Sequence, residues 1–342
     1  MNIVQIKEKV SSKEYNFLRE NEHLKNNIIL LTLGGSHAYG TNVEASDLDV
    51  RGIALNRKQD LLGLSNFENF VNVETDTTIY GFNEIVKLLL NVNPNVIEML
   101  GCKDEHYLIL SEEGKMLKNN TDLFLTQKAV NSFGGYANQQ LRRLQNALAR
   151  DNYPQQEKEK HILNSILNQL STFETRYKND FDINLYLDNS DKEEFEEEIF
   201  MDINLKHYPL RDYHGIYSEM HNVVKDYGKL NHRNKKKDDL HLNKHAMHLV
   251  RLFLMAIEIL EGKGVNTYRE QDRNLLLEIR NGKYQKADGS YYDEFFEMID
   301  ELDKKSKYAK ENSPLPKSPN MKKVEEFVIS INERIVKNDN AN

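Results

Sequence analysis

The spacing of apolar residues divides the first part of the chain into helices and strands. Strands are predicted where apolar residues run together or alternate with polar ones, and helices where they recur every three to four positions. The predicted elements are a helix over 3–25, strands over 27–34, 47–55 and 70–82, and a helix over 83–92. Asn83 is the predicted N-cap of that helix, and Pro94 follows its end. Residues 1–110 are therefore expected to form a mixed α/β core.

Helical spacing dominates the rest of the chain. The predicted helices lie in SEEGKMLKNN (111–120), TQKAVNSFGGYANQQLRRLQNALAR (126–150) and LNKHAMHLVRLFLMAIEILEGKG (242–264). Three of the six prolines fall in 311–320, which is expected to be an extended linker before a short C-terminal helix. The pattern predicts an α+β chain with an α/β core over 1–110, a mainly helical domain over 111–310, and a linker and helix over 311–342. No element is assigned within 151–210 except an exposed helix that opens in the acidic run 191–200.

Composition and charge narrow the class of protein. The longest apolar runs, IILLTL and LFLMAI, are far shorter than the roughly 20 residues that a membrane-spanning helix needs. The N-terminus lacks the apolar core of a secretory signal, so we expect a cytoplasmic protein with no membrane partner. A net charge of −8 disfavours charge-driven binding to long nucleic acids. The dense basic cluster at 232–239 is interpreted as a solvated loop, although it could serve a short RNA end. Cys102 is the single cysteine and is expected to be a buried thiol.

The stretch GGSHAYGTNVEASDLDVRG (34–52) carries the candidate chemistry. On a strand, Asp47 and Asp49 would project from one face, and their mutual repulsion is most simply relieved by a divalent cation such as Mg²⁺. In the turn before them, Gly35 permits close backbone approach, and Ser36 at a helix start offers donors to an anion. A cation beside an anion-binding turn predicts a nucleoside triphosphate as the ligand, with ATP among the candidates.

The same stretch resembles the signature of the DNA polymerase beta-like nucleotidyltransferase superfamily, in which a glycine–serine turn is followed about ten residues later by an Asp-x-Asp pair. Together with NPNVIEML, FGGYANQQLRRL and KHAMHLVRL, it resembles a predicted nucleotidyltransferase family associated with RNA repair in bacteria and phages. These segments lie within residues 34–282, the range over which the resemblance extends. The resemblance implies a mixed sheet with flanking helices, followed by a helical bundle that closes the nucleotide cleft.

The resemblance also implies a two-metal site completed by a third carboxylate on a neighbouring strand. Asp76 is the preferred third ligand and Glu74 the alternative, since both are expected on one face of the strand over 70–82. Two Mg²⁺ ions at Asp47, Asp49 and Asp76 would then support in-line attack of an acceptor hydroxyl on the α-phosphorus, with pyrophosphate leaving.

Other binding motifs are excluded by the residues at their required positions. An EF-hand is excluded because Arg51 stands where an oxygen ligand is required, and neither a dinucleotide-binding nor a P-loop glycine pattern is present. Lys244, His248 and Arg251 share a helix face and are expected to reach the triphosphate. His241, His245 and His248 are the alternative, a zinc site. Six further residues are expected either to line the nucleotide cleft or to have a packing role: His37, Tyr39, Glu98, Tyr136, Arg142 and Arg143.

Two functions remain open from the sequence. The first is a magnesium-dependent transferase that moves a nucleoside monophosphate to an RNA end, a protein side chain or a small molecule. The second is a nucleotide-binding or interaction protein that keeps the fold without turnover. Intact Ser36, Asp47 and Asp49 favour the enzyme. The acceptor, the preferred nucleotide and the oligomeric state cannot be predicted from the sequence.

Overall fold

The chain divides into two compact units that do not follow its linear order. The computed structural model describes residues 1–44, 46–152, 160, 163, 182–191, 197–204, 209–214, 217–218, 221, 239–287 and 289–338. The first unit consists of residues 1–140, 246–283 and 293–342, and the second of residues 141–245 and 284–292. The division expected from the sequence, with boundaries at 110 and 310, stays a prediction.

A five-stranded mixed sheet forms the centre of the first unit. Its strands are β1 Ile28–Leu33, β2 Val50–Ala54, β3 Asn69–Asn72, β4 Thr77–Gly81 and β5 Tyr107–Leu110, in the order β3-β4-β2-β1-β5. β2 and β4 run parallel, and the other neighbouring pairs are antiparallel. All six residues of β1 are buried, as expected for the central part of a sheet that is covered on both faces. The α+β class predicted from the sequence is confirmed.

The strand predictions are right for β1 and partly wrong for the others. The strand expected over 47–55 begins only at Val50, so Asp47 and Asp49 precede it. The strand expected over 70–82 is a hairpin of β3 and β4. The turn between them is fixed by Asn72, whose side-chain oxygen accepts a hydrogen bond from the Thr75 backbone N–H at 3.0 Å. β5 was not predicted, because a four-residue apolar run cannot be assigned by periodicity alone.

Helices surround the sheet and continue through the second half of the chain. They are α1 Ile3–Ser11, α2 Phe17–Glu20, α3 Gly35–Tyr39, α4 Lys58–Leu62, α5 Phe82–Leu89, α6 Pro94–Ile97, α7 Glu112–Asn119, α8 Ala129–Asn152, α9 Asp239–Leu260, α10 Arg273–Arg280, α11 Asp293–Glu311 and α12 Met321–Asn338. The single helix expected over 3–25 is interrupted at Ser12, whose backbone is extended. α5 begins one residue before Asn83, so Gly81 is its N-cap and that prediction is wrong.

The C-terminal segment packs back onto the first unit. The Gln127 N–H donates to the Pro316 carbonyl at 2.9 Å, and the Asn332 side chain donates to Asn83 at 2.9 Å. The Phe327 ring of α12 lies 6.3 Å from the ring of Phe82. The predicted C-terminal helix is therefore confirmed, and it covers α5.

The second unit contains an antiparallel hairpin of β6 (Asp182–Asn189) and β7 (Glu197–Asn204). The exposed helix predicted for the acidic run is wrong in its described part, since Glu197–Phe200 is strand. Alternating side chains such as Ile199 and Met201 favour a strand there. The basic residues 232–238 lie outside the described residues. Among the helices that the structure describes, none combines the length and apolar character needed to cross a bilayer.

Candidate functional site

The short helix α3 brings Gly35 against one of the two aspartates. Gly34 caps α3, and Gly35 has a φ of +53°, which strongly favours glycine. A Cβ atom at position 35 would lie 1.9 Å from Asp49 Oδ2. The close approach predicted for Gly35 is therefore occupied by the Asp49 carboxylate, and Ser36 follows as a buried residue.

Asp47 and Asp49 lie in the segment that leads from α3 into β2. Asp47 is exposed, Leu48 is buried, and the Asp49 side chain is 21% exposed, so burial alternates as on a strand. The Gly34 N–H donates to the Asp49 carbonyl at 2.8 Å. This backbone bond ties the start of α3 to the second aspartate.

The two candidates for the third carboxylate lie in the β3–β4 turn and not on a strand face. Glu74 is exposed, and Asp76 has a φ of +42°. Because β2 and β4 run parallel with Val50 opposite Thr77, Asp76 lies beside the start of β2. The Asp76 carbonyl accepts from the Val50 N–H at 3.1 Å. Of Glu74 and Asp76, Asp76 is thus the one that hydrogen-bonds to β2, the strand that follows Asp49.

Arg51 connects Asp49 and Asp76. Its Nη2 lies 3.0 Å from Asp76 Oδ1 and 3.4 Å from Asp49 Oδ1. Its Nη1 donates to the Asp76 carbonyl at 2.6 Å. One guanidinium therefore holds both carboxylates. This role of Arg51 was not predicted, although its i+2 spacing from Asp49 is a signal in extended backbone, where such residues project to the same side.

A cavity of about 250 Å³ opens beside these residues, within the first unit. Gly34, Gly35, Asp49 and Arg51 contribute to one part of its wall. The rest of its lining comes from the end of β1, α3, β4, the segment around α6 and the segment after α9, namely Leu33, Ala38, Tyr39, Thr78, Tyr80, Asn95, Glu98, Met99, Cys102 and Thr267. Asn95 also donates to the Tyr136 hydroxyl at 3.2 Å, which brings Tyr136 near the cavity. The side chains of Arg142 and Arg143 lie outside the described residues.

A buried ion pair supports the inner wall of the cavity. Arg251 donates through Nη1 to Glu98 Oε1, and the Tyr39 hydroxyl donates to Glu98 Oε2 at 2.6 Å. The Arg251 guanidinium also lies 3.8 Å from the centre of the Tyr39 ring. Burial alone would lower the pKa of Arg251, but the neighbouring Glu98 carboxylate raises it, so the guanidinium stays charged. Burial also raises the pKa of Tyr39 well above its ordinary value, which keeps its hydroxyl a donor.

The sequence of this part of the chain matches a known family. Residues 6–171 match the model described as RlaP, RNA repair pathway DNA polymerase beta family. Residues 6–171 are therefore similar to the RlaP family. No curated protein and no solved structure matches the chain. The matched range contains the whole five-stranded sheet, α3 and all three predicted carboxylates.

The cationic residues predicted to grip the triphosphate lie outside the RlaP match. Arg251 is 5% exposed and engaged by Glu98. His248 is half-buried, with its ring edge-on to Tyr39 at 6.0 Å, and Lys244 is an exposed residue of the second unit. Binding of the triphosphate by these three residues stays a prediction.

The predicted metal ligands include three carboxylates and, in the alternative, three histidines. Within the described residues, no three His, Cys, Asp or Glu side chains converge as metal ligands. The histidines at 241, 245 and 248 are among the side chains that do not converge. The zinc alternative therefore gains no support. The donor set of Asp47, Asp49 and Asp76 consists of hard carboxylate oxygens, which suit Mg²⁺, and a cationic group already lies between Asp49 and Asp76. Asp47, Asp49 and Asp76 therefore offer suitable oxygen atoms but do not converge as three ligands in this structure, and a metal there stays a prediction.

Cys102 lines the cavity as a protonated thiol. Burial raises its pKa to about 12, and its sulfur lies 3.4 Å from the Glu98 carbonyl. The prediction of a buried thiol is confirmed. At neutral pH this side chain is no nucleophile, since the thiolate is the reactive form.

Two buried histidines beside this site predict an acid-sensitive fold. Burial is the largest cause that lowers the pKa of His37 and of His106, and His37 further lowers that of His106. The unfolded chain therefore binds more protons below about pH 6.5, so the free energy of unfolding should fall as the pH drops from 7.5 to 5.5. Urea unfolding at both pH values should show a smaller fall for His37→Gln and His106→Gln.

The control for this prediction is His214→Gln, because His214 is exposed. It should keep the pH dependence of the wild type. Equal pH dependence in all four proteins would contradict a role for the buried histidines.

Proposed function

We propose that the chain is a metal-dependent nucleotidyltransferase that moves a nucleoside monophosphate from a triphosphate to an acceptor hydroxyl. The observation that carries this proposal is the match of residues 6–171 to a polymerase beta family. The packing of Asp49 against Gly35 in the wall of one cavity supports it. It brings a carboxylate and the start of α3 together in a space that a small ligand can enter.

The metal-binding roles follow from the positions of the carboxylates. Asp47 and Asp49 would hold one Mg²⁺, and Asp76 would join them for a second. When bound, such ions neutralise phosphate charge and lower the pKa of the attacking hydroxyl. The chain itself supplies oxygen ligands on a rigid base, because Asp49 and Asp76 precede two paired parallel strands.

The remaining residues would hold the nucleotide in place. Gly35 and Ser36, at the start of α3, would bind the phosphate tail through backbone N–H groups. His248 would add positive charge, and Arg251 would act by holding Glu98 and Tyr39. In the transfer, the acceptor oxygen bonds to the α-phosphorus, the bond to the bridging oxygen breaks, and pyrophosphate leaves with its electron pair. The hydroxyl proton passes to a carboxylate or to water.

An RNA end is the acceptor that the family description favours, because that description names an RNA repair pathway. A protein side chain and a small molecule are the other acceptors. The cytoplasm is the compartment in which we expect this activity.

A second function, nucleotide binding without turnover, is favoured by one observation. Arg51 already neutralises Asp49 and Asp76, so these carboxylates have a partner without a metal. A protein in which this arrangement persists would bind a nucleotide in the cavity and transfer nothing.

The two functions differ in pyrophosphate release from labelled triphosphates in the presence of Mg²⁺. We expect release by the wild type in the presence of short RNA, and a rate about a hundredfold lower for Asp47→Ala, because a ligand of the ion is lost. Asp122→Ala is the matched control, since Asp122 is an exposed residue on a short turn of helix. Release that Asp47→Ala leaves unchanged would exclude the assigned site. Tight nucleotide binding without release would favour the second function.

A further inference from the structure

The Arg51 side chain lies between two carboxylates and the cavity. Its side chain is 24% exposed, and the side chains of Asp49 and Asp76 are 21% and 57% exposed. It also lines the cavity, together with Asp49. A modest rotation about its side-chain bonds would therefore move the guanidinium between the carboxylates and the cavity.

The charges around Arg51 depend on what else is bound. Without a metal, one guanidinium offsets two nearby carboxylates, which would otherwise repel each other. With a divalent cation on these carboxylates, the guanidinium would stand beside a double positive charge and be repelled. The guanidinium and a divalent cation would compete for the same two oxygens, Asp49 Oδ1 and Asp76 Oδ1.

We propose that Arg51 is an internal counter-ion, which a divalent cation displaces from Asp49 and Asp76, and which then binds phosphate oxygens of the nucleotide in the cavity. This inference rests on the proposed function for its nucleotide, but its first half concerns the metal alone. A guanidinium suits both partners, because its planar fork matches carboxylate and phosphate oxygens alike.

The first test measures metal affinity without nucleotide. Mn²⁺ binding to the full chain, followed by electron paramagnetic resonance, should be about fivefold or more tighter in Arg51→Gln, because the competing cation is removed. Arg51→Lys keeps the charge and should remain near the wild type. The matched control is Arg334→Gln, whose side chain is 50% exposed on α12 and lies 3.9 Å from Glu113. It removes the same charge elsewhere and should leave Mn²⁺ affinity unchanged.

The second test observes Arg51 directly in the wild type. In the wild type labelled with ¹⁵N-arginine, the Arg51 side-chain signal, assigned by its absence from Arg51→Lys, should shift on addition of Mg²⁺. It should shift again on addition of a non-hydrolysable triphosphate. In turnover, Arg51→Gln should raise KM for the triphosphate about tenfold, with a smaller change in kcat.

The outcomes separate this inference from the proposed function. Unchanged Mn²⁺ affinity in Arg51→Gln, or an Arg51 signal that ignores Mg²⁺, would overturn the inference even if the wild type releases pyrophosphate. If Arg51→Gln binds Mn²⁺ more tightly but the wild type releases no pyrophosphate, the counter-ion role of Arg51 is supported and the proposed transferase function is contradicted. An equal gain in Arg334→Gln would reduce the effect to net charge and also overturn the inference.

Discussion

Replacing Asp49 by asparagine is expected to slow Mg²⁺-dependent pyrophosphate release about a thousandfold. Asparagine has the same shape, so it should still fit against Gly35, where the wild-type carboxylate lies. It lacks the negative charge that a divalent cation requires. The effect should exceed that of Asp47→Ala, because Asp49 lines the cavity whereas Asp47 is exposed.

The measurement is single-turnover pyrophosphate release over a range of Mg²⁺ concentrations. Asp49→Asn should need more Mg²⁺ for half-maximal rate, whereas the exposed-site control Asp122→Asn should behave as the wild type. Circular dichroism should show that both variants are folded. A rate for Asp49→Asn within about threefold of the wild type would remove Asp49 from the proposed chemistry.

Replacing Arg251 by methionine is expected to lower the free energy of unfolding by about 3–5 kcal/mol. Both partners of the Arg251 and Glu98 pair are nearly buried, with side chains 6% and 10% exposed. Without the guanidinium, the buried Glu98 carboxyl group would lose its counter-ion and keep the hydrogen bond from the Tyr39 hydroxyl. The loss should appear as a lower urea concentration at the midpoint of unfolding.

The double variant Glu98→Gln, Arg251→Met provides the matched control. It leaves no charge in the pair and keeps an acceptor oxygen for Tyr39, so it should recover at least about 2 kcal/mol. A double variant no more stable than Arg251→Met would show that the cost comes from lost packing and not from an unpaired carboxylate.

The sequence predicted the parts of the fold that depend on local pattern. The continuous apolar run of β1 and the long stripe of α9 were correctly assigned, since each signal extends over a whole element. The pattern predicts one strand where β3 and β4 form a hairpin, because the alternation of apolar and polar residues continues through the turn. The turn is specified by the side chain of Asn72 and the positive φ of Asp76, neither of which changes the hydrophobic pattern.

The candidate site shows the same division. Asp47, Asp49, Gly35 and Ser36 were found because they lie within one short motif. The bond from Arg51 to Asp76 joins positions 25 residues apart, and the pair of Glu98 and Arg251 joins positions 153 apart. Such pairings depend on the parallel alignment of β2 with β4 and on the packing of α9, which no local spacing encodes.

The order of synthesis gives the packing of α12 on α5 a further consequence. Asn332 contacts Asn83, which leaves the ribosome 249 residues earlier. At about 5–20 residues per second, the apolar face of α5 waits on the order of ten to fifty seconds for its cover. During that interval the nascent chain presents Phe82 to solvent without Phe327, so its yield in a cell should depend on chaperones that shield such surfaces.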